Sequence, residues 1–171
     1  MKLVIGMTGS TGVIYGVRIM EVLKEQNVET HLVITEWAKK CLAMETDYKL
    51  DQLKALATEY SDDSNLASGI SSGTYKHDGM IVVPCSMKSL SAISNGYDET
   101  LVTRAAGVTL KESRKLVLVT RETPLTAINI ENMLKLARLG VVILPPVPGF
   151  YTRPRSEEHT SELQSHSDLV C

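Results

Sequence analysis

Residues 2–12 read KLVIGMTGSTG, and the change of character inside this stretch decides the fold. Lys2–Met7 is a continuous apolar run, as expected of a strand covered on both faces of a parallel sheet. Gly6, Gly9 and Gly12 punctuate the turn after it, with Ser10 and Thr11 between the last two. Val13–Asn27 then sets Val13, Val17, Met20 and Leu23 at helical spacing, and Val28–Thr35 is apolar again. Strand, glycine turn, helix and strand form a βαβ unit of roughly thirty residues, the crossover that parallel strands require.

The alternation continues downstream. Ala38–Met44 and Asp51–Tyr60 read as helices, and the Ser- and Gly-rich stretch Ser61–Asp78 as a surface loop. Gly79–Val83 is a third strand, stopped by Pro84. Ser86–Ser94 and Asp98–Glu112 are helices, the second with Leu101, Ala105, Val108 and Thr109 on one side. Lys115–Thr120 is a fourth strand. Ile128–Leu139 is a helix with Ile130, Met133, Leu134 and Ala137 along its buried stripe, and Val141–Leu144 is a fifth strand ended by Pro145-Pro146. This order predicts one α/β domain, a doubly wound parallel sheet in three layers, with ligands at the carboxyl ends of its strands.

The bulk numbers agree with that class. A chain of 171 residues with 43% hydrophobic and 22% charged content suits a single globular domain. A net charge of −2 argues against broad nucleic-acid binding. No segment reaches about 18 uninterrupted apolar residues, and Leu3–Met7 is too short for a leader, so no membrane span is expected and a cytoplasmic protein is. Cys41, Cys85 and Cys171 show no metal-ligand or disulfide spacing; Cys85 reads as a core thiol. His31 and His77 lack metal spacing too, and no metal is expected.

The chain changes character after Pro154. RSEEHTSELQSH, residues 155–166, has no apolar period and resembles the in-frame translation of a sequencing adapter, with SDLVC continuing it. The division expected is a domain over 1–154 and a non-native tail without a fixed fold over 155–171. The native chain is then expected to be longer, with a further C-terminal element.

Three strand-end turns carry chemistry. At Gly6–Gly12 the spacing is G-x-x-G-x-x-G, where backbone amides and a helix start favour an anion. It is not the dinucleotide G-x-G-x-x-G, and the second strand ends in Thr35, not in an acid, although Glu36 adjoins it. A mononucleotide phosphate fits this spacing better; a tight turn without a ligand is the plain alternative. Pro84-Cys85-Ser86-Met87-Lys88-Ser89 is a second junction that could bind phosphate or carbonyl groups, or simply cap a helix through Ser86. At Thr120-Arg121-Glu122-Thr123-Pro124, Arg121 could clamp a phosphate and Glu122 move a proton; an exposed ion pair capping a loop is the plain alternative. Lys111 and Glu45 read by default as ordinary helix charges. The loop 145–151 stiffens around three prolines and presents Phe150 and Tyr151.

Taken together, MTGSTGVIYGVR, ETD (45–47), PCSMKSLSAI (84–93), LKE (110–112), LVTRETPL (118–125), ENMLKLARLG (131–140) and ILPPVPGFY (143–151) resemble the UbiX-type flavin prenyltransferases, especially members associated with phenolic-acid decarboxylases. The resemblance spans residues 2–154 in order. It implies a flavodoxin-like fold, FMN binding, a homo-dodecamer and prenyl transfer from dimethylallyl monophosphate to reduced FMN, the product serving a UbiD-type decarboxylase. By position it assigns Gly9, Ser10, Thr11, Thr35, Ser86, Met87, Lys88, Ser89 and Arg121 to FMN. It assigns Lys111, Arg121 and Tyr151 to the prenyl donor, and Glu45, Lys111 and Glu122 to catalysis. Two departures stand out: Thr11 where the family usually has Ser, and Gly107 where it usually has Asp. A cysteine decarboxylase of the phosphopantothenoylcysteine type and a non-catalytic flavin-binding subunit of a decarboxylase are the alternative functions.

Overall fold

The computed structural model describes residues 1–147. The elements are β1 (Lys2–Met7), α1 (Val13–Glu25), β2 (Glu29–Ile34), α2 (Glu36–Glu45), α3 (Leu50–Leu56), β3 (Glu59–Asp62), β4 (Gly79–Cys85), α4 (Met87–Ser94), α5 (Leu101–Lys111), β5 (Lys115–Thr120), α6 (Ala127–Arg138) and β6 (Val142–Ile143). All strand pairs are parallel, in the order β3-β2-β1-β4-β5-β6. Without the four-residue edge strand β3, the remaining five follow the flavodoxin-like order. The expected α/β class, single sheet and three layers are found.

Side chains alternate across each strand and build a core on both faces of the sheet. Val4, Val82, Leu116 and Leu118 meet Leu101, Val102 and Ala105 of α5 and Leu136 of α6 on one face. Ile5, Met7, Leu32 and Ile34 meet Val13, Val17 and Met20 of α1, with Ala38, Leu42 and Leu53, on the other. The apolar runs at 2–7 and 28–35 are therefore legible as strands because each must serve two faces.

Three sequence expectations are corrected. The helix expected over Asp51–Tyr60 ends at Leu56, and Glu59–Asp62 is a sixth strand. The Thr58 amide donates to the Thr30 carbonyl (3.1 Å), which draws the chain onto β2. A short edge strand with Ser61 as its one buried residue carries no apolar alternation to announce it. Second, Pro84 does not stop the third strand: β4 reaches Cys85, with the pairing to β5 shifted between Val82 and Cys85. Third, the buried stripe of α6 is Leu136, with Met133 partly buried against the core, whereas Ile130 (52%) and Leu134 (48%) are exposed, as is Ala137. The remaining helix ends move by one to three residues.

Candidate functional site

The strand order reverses direction between β1 and β4, because β1 leads through α1 to β2 on one side while β4 leads through α4 and α5 to β5 on the other. In open α/β sheets ligands bind outside the carboxyl ends of the strands at such a point. The turns after β1, β4 and β5 all stand at this edge. The Ser10 hydroxyl donates to the Arg121 carbonyl (3.2 Å), joining the first turn to the third. The Thr8 hydroxyl donates to the Pro84 carbonyl (2.9 Å) and accepts from the Ser86 amide (2.8 Å), joining the first to the second. Gly9, Ser86 and Arg121, far apart in the chain, thus share one rim.

Each turn is shaped locally. Gly12 takes φ +95°, a left-handed conformation suited to glycine, as it enters α1. Gly9 lies flat against the first turn of α2, where a Cβ would collide with Trp37. Thr35 caps α2, its hydroxyl accepting from the Ala38 amide (3.2 Å), and its own amide donates to the Met7 carbonyl (3.0 Å). Ser86 caps α4, accepting from the Ser89 amide (3.2 Å) and donating to the Ser89 hydroxyl (3.1 Å). The amides of Met87 and Lys88 open this helix without intrahelical acceptors, as first-turn amides do. Thr11 and Lys88 are exposed.

The charged candidates divide. Arg121, Glu122 and Lys88 are exposed, and among the described residues none of them enters an ion pair. Glu122 accepts from the Thr123 amide (3.2 Å). Glu45, at the end of α2, accepts from the Gly12 amide (2.9 Å), so its carboxylate reaches the first turn. Lys111 is not brought to the rim. It ends α5 just before β5 begins, paired with Glu112 (2.9 Å) and close beside Gly73. This salt bridge holds the Glu112 carboxyl below its usual range. Six-residue β5, about 20 Å long, runs between the two, so Lys111 stands at the end of that strand opposite Arg121. Tyr151 lies outside the described residues, as does the division at residue 154.

Other candidates settle elsewhere. Cys85 is fully buried and its thiol is pushed up to about 12 by burial, as a core thiol should be. Glu36, which kept a dinucleotide reading open, is engaged by Lys39. Gly107 leaves room for Asp98, whose Oδ1 lies 2.9 Å from where a Cβ would stand and whose other oxygen pairs with Arg104 (3.0 Å). A carboxylate therefore occupies the neighbourhood of residue 107 from another position. The described residues hold no group of three His, Cys, Asp or Glu side chains able to bind a metal. Two surface grooves, one beside Lys24 and Leu56 and one beside Lys39 and Leu50, take in none of Gly9, Ser86 or Arg121. They lack the convergent strand-end turns that mark a ligand site in this architecture. Thr8 is the residue that sequence reasoning missed.

A doubly wound sheet with anion-accepting turns on both sides of its switch point defines a nucleotide- or flavin-binding α/β protein. The chain belongs to the Flavoprotein family, whose model matches residues 1–171, and within it to the UbiX-like flavin prenyltransferases. It is 57% identical over 170 residues to the mitochondrial flavin prenyltransferase PAD1 of Saccharomyces cerevisiae, covering 99% of this chain and 70% of that one. It is 55% identical to a probable UbiX-like flavin prenyltransferase of Bacillus subtilis, over 92% of this chain and 77% of that one. Among solved structures, AnUbiX (PadA1) in complex with FMN and dimethylallyl pyrophosphate superposes with a TM-score of 0.94 at 46% identity, covering 99% and 89% of the two chains. A dodecameric FMN-dependent UbiX-like decarboxylase of Escherichia coli O157:H7 gives 0.92 at 51%, covering 94% and 88%. The peptidyl-cysteine decarboxylase EpiD, at 20% identity and a TM-score of 0.69, shares the fold alone.

The rim fits a flavin mononucleotide on two observations. The first turn is fixed in place at the rim, because Gly9 packs on Trp37 of α2 so closely that a Cβ there would collide with it. One residue before Arg121, the Thr120 hydroxyl is buried without a partner among the described residues.

Proposed function

We propose that this chain is a flavin prenyltransferase that transfers a dimethylallyl group from dimethylallyl monophosphate to reduced FMN, making prenylated FMN for a UbiD-type decarboxylase. The observation that carries the reading is the meeting of three strand-end turns at the switch point, in a chain 57% identical to a flavin prenyltransferase.

In this reading Gly9, Ser10 and Thr11, with Thr35, Ser86, Met87, Lys88, Ser89 and Arg121, hold FMN through amides, hydroxyls and a guanidinium. Reduced FMN supplies the nucleophilic ring when bound. Arg121, free of ion pairs among the described residues, places positive charge on the departing phosphate beforehand. Glu122, or the departed phosphate, would accept the proton that has to leave carbon in the transfer. Glu45 lines the pocket from the end of α2, and Tyr151 is assigned to the donor as an aromatic group suited to keeping water from an allylic carbon. Lys111 reaches the donor phosphate only from another copy of the chain, because its own Arg121 stands across the sheet. A homo-dodecamer like that of the solved relative is the assembly proposed. The cytoplasm as its compartment, and 155–171 as a non-native tail after a 1–154 domain, belong to the same proposal. An overlapping genomic read across residue 154 tests the tail.

The function is tested by incubating the protein anaerobically with reduced FMN and, in separate arms, dimethylallyl monophosphate and diphosphate, then weighing the flavin by mass spectrometry. A flavin heavier by one dimethylallyl group in the monophosphate arm is expected. Unchanged flavin in both arms, with folded FMN-loaded protein, refutes the reading.

A further inference from the structure

Where β1 and β4 end, their regular ladder gives way to bonds made by a single residue. Their pairing runs from Leu3 with Gly79 to Gly6 with Val82 and stops there. Pro84 has no amide to donate, and Thr8, 1% exposed, takes over the join. Its amide and its hydroxyl both donate to the Pro84 carbonyl (3.1 and 2.9 Å), and the hydroxyl oxygen accepts from the Ser86 amide (2.8 Å). One residue thereby satisfies both lone pairs of a buried carbonyl and the amide of the residue that caps α4. The Ser86 hydroxyl in turn caps the Ser89 amide, so the orientation of the whole α4 start is referred back to Thr8.

We propose that Thr8 is a positioning residue for turn 86–89 of the proposed FMN site, fixing the direction of the Met87 and Lys88 amides relative to Gly9 and Ser10. The inference rests on the flavin-binding reading above and deepens it. A hydroxyl is required here, since it must donate and accept at once; a methyl of the same size does neither. Valine at this position keeps the backbone bond to the Pro84 carbonyl but leaves the Ser86 amide without its acceptor, so the α4 start is held less firmly against the first turn.

The test compares Thr8→Val and Thr8→Ser with the parent, and with Leu53→Ala, a buried α3 side chain that makes none of these bonds. All are assayed well below their melting temperatures. FMN affinity is read by flavin fluorescence, prenyl transfer as kcat and KM, and exchange of the Ser86 amide by hydrogen–deuterium mass spectrometry. Thr8→Val is expected to bind FMN at least tenfold more weakly and to expose the Ser86 amide to exchange. Thr8→Ser should stay within about threefold of the parent, and Leu53→Ala should match the parent in FMN affinity and in Ser86 exchange. If Thr8→Val binds FMN like the parent, or if Leu53→Ala loses affinity to the same extent, the positioning role is overturned while the flavin reading stands. A folded parent that binds no FMN overturns both.

Discussion

At the scale of single residues, the site is a set of ordinary groups made useful by where strands stop. Arg121 is the sharpest case. It sits one residue past β5, exposed and without an ion pair among the described residues, beside the turn that Ser10 ties to its carbonyl. Arg121→Ala should lower kcat/KM for prenyl transfer about 100-fold, equivalent to roughly 2.7 kcal/mol of transition-state stabilisation. A rate within threefold of the parent would remove it from the phosphate site. Cys85 gives a complementary prediction. With its thiol buried and pushed up to about 12, it should resist alkylation at pH 8 in the native protein and react only after unfolding, as peptide mapping would show. Arg121 was legible from its place after a strand-like run, and Cys85 from the absence of any neighbouring feature that would activate a thiol. Thr8 was not, because its partners Pro84 and Ser86 lie 76 and 78 residues away and no local pattern ties it to them.

At the scale of elements, α6 departs most from its sequence. Its period suggested a stripe through Ile130 and Leu134, yet these and Ile128 (68%) face outward while Leu136 is buried. Apolar spacing records that a helix has an apolar face; it does not say whether its own sheet or another chain covers that face. In the homo-dodecamer proposed above, the outer face of α6 is expected to meet another copy. Ile130→Asp combined with Leu134→Asp should leave helical content intact by circular dichroism and reduce the mass measured by light scattering. An unfolded double variant would show that this face is covered within the chain. β3 illustrates the opposite difficulty. Its residues EYSD join the sheet because β2 offers them a ladder, a long-range cause that composition cannot display.

At the scale of the whole molecule, the end of the sheet opposite the rim holds a half-buried polar cluster around the buried His31. The His31 ring contacts the Tyr75 hydroxyl (3.1 Å), the Ser61 hydroxyl (2.9 Å) and the Glu59 carboxylate (3.2 Å), and Lys2 bonds Glu59 (2.7 Å). Burial pulls His31 below its ordinary value and outweighs the attraction of Glu59; burial lowers His77 as well. Both rings therefore bind fewer protons folded than unfolded. Their contribution to stability is complete above about pH 6.5 and is lost as pH falls below it toward their folded values. Glu59, held low first by its bond to Lys2, adds its own loss only further down, below about pH 4.3. The melting temperature should thus fall between pH 7 and pH 5, and His31→Gln should shrink that fall. A melting temperature independent of pH over this range would contradict the arrangement.

The sequence by itself determined the strands that serve two faces, the helices between them, the three turns at strand ends and the family. Each is a local pattern of apolar spacing, glycine or motif order. Tertiary structure alone decided which of those turns meet, that Thr8 stitches two of them, that a sixth strand forms and that Lys111 stands across the sheet from Arg121. Those outcomes depend on contacts between residues distant in the chain, and a sheet sorts its edges only after its strands have paired.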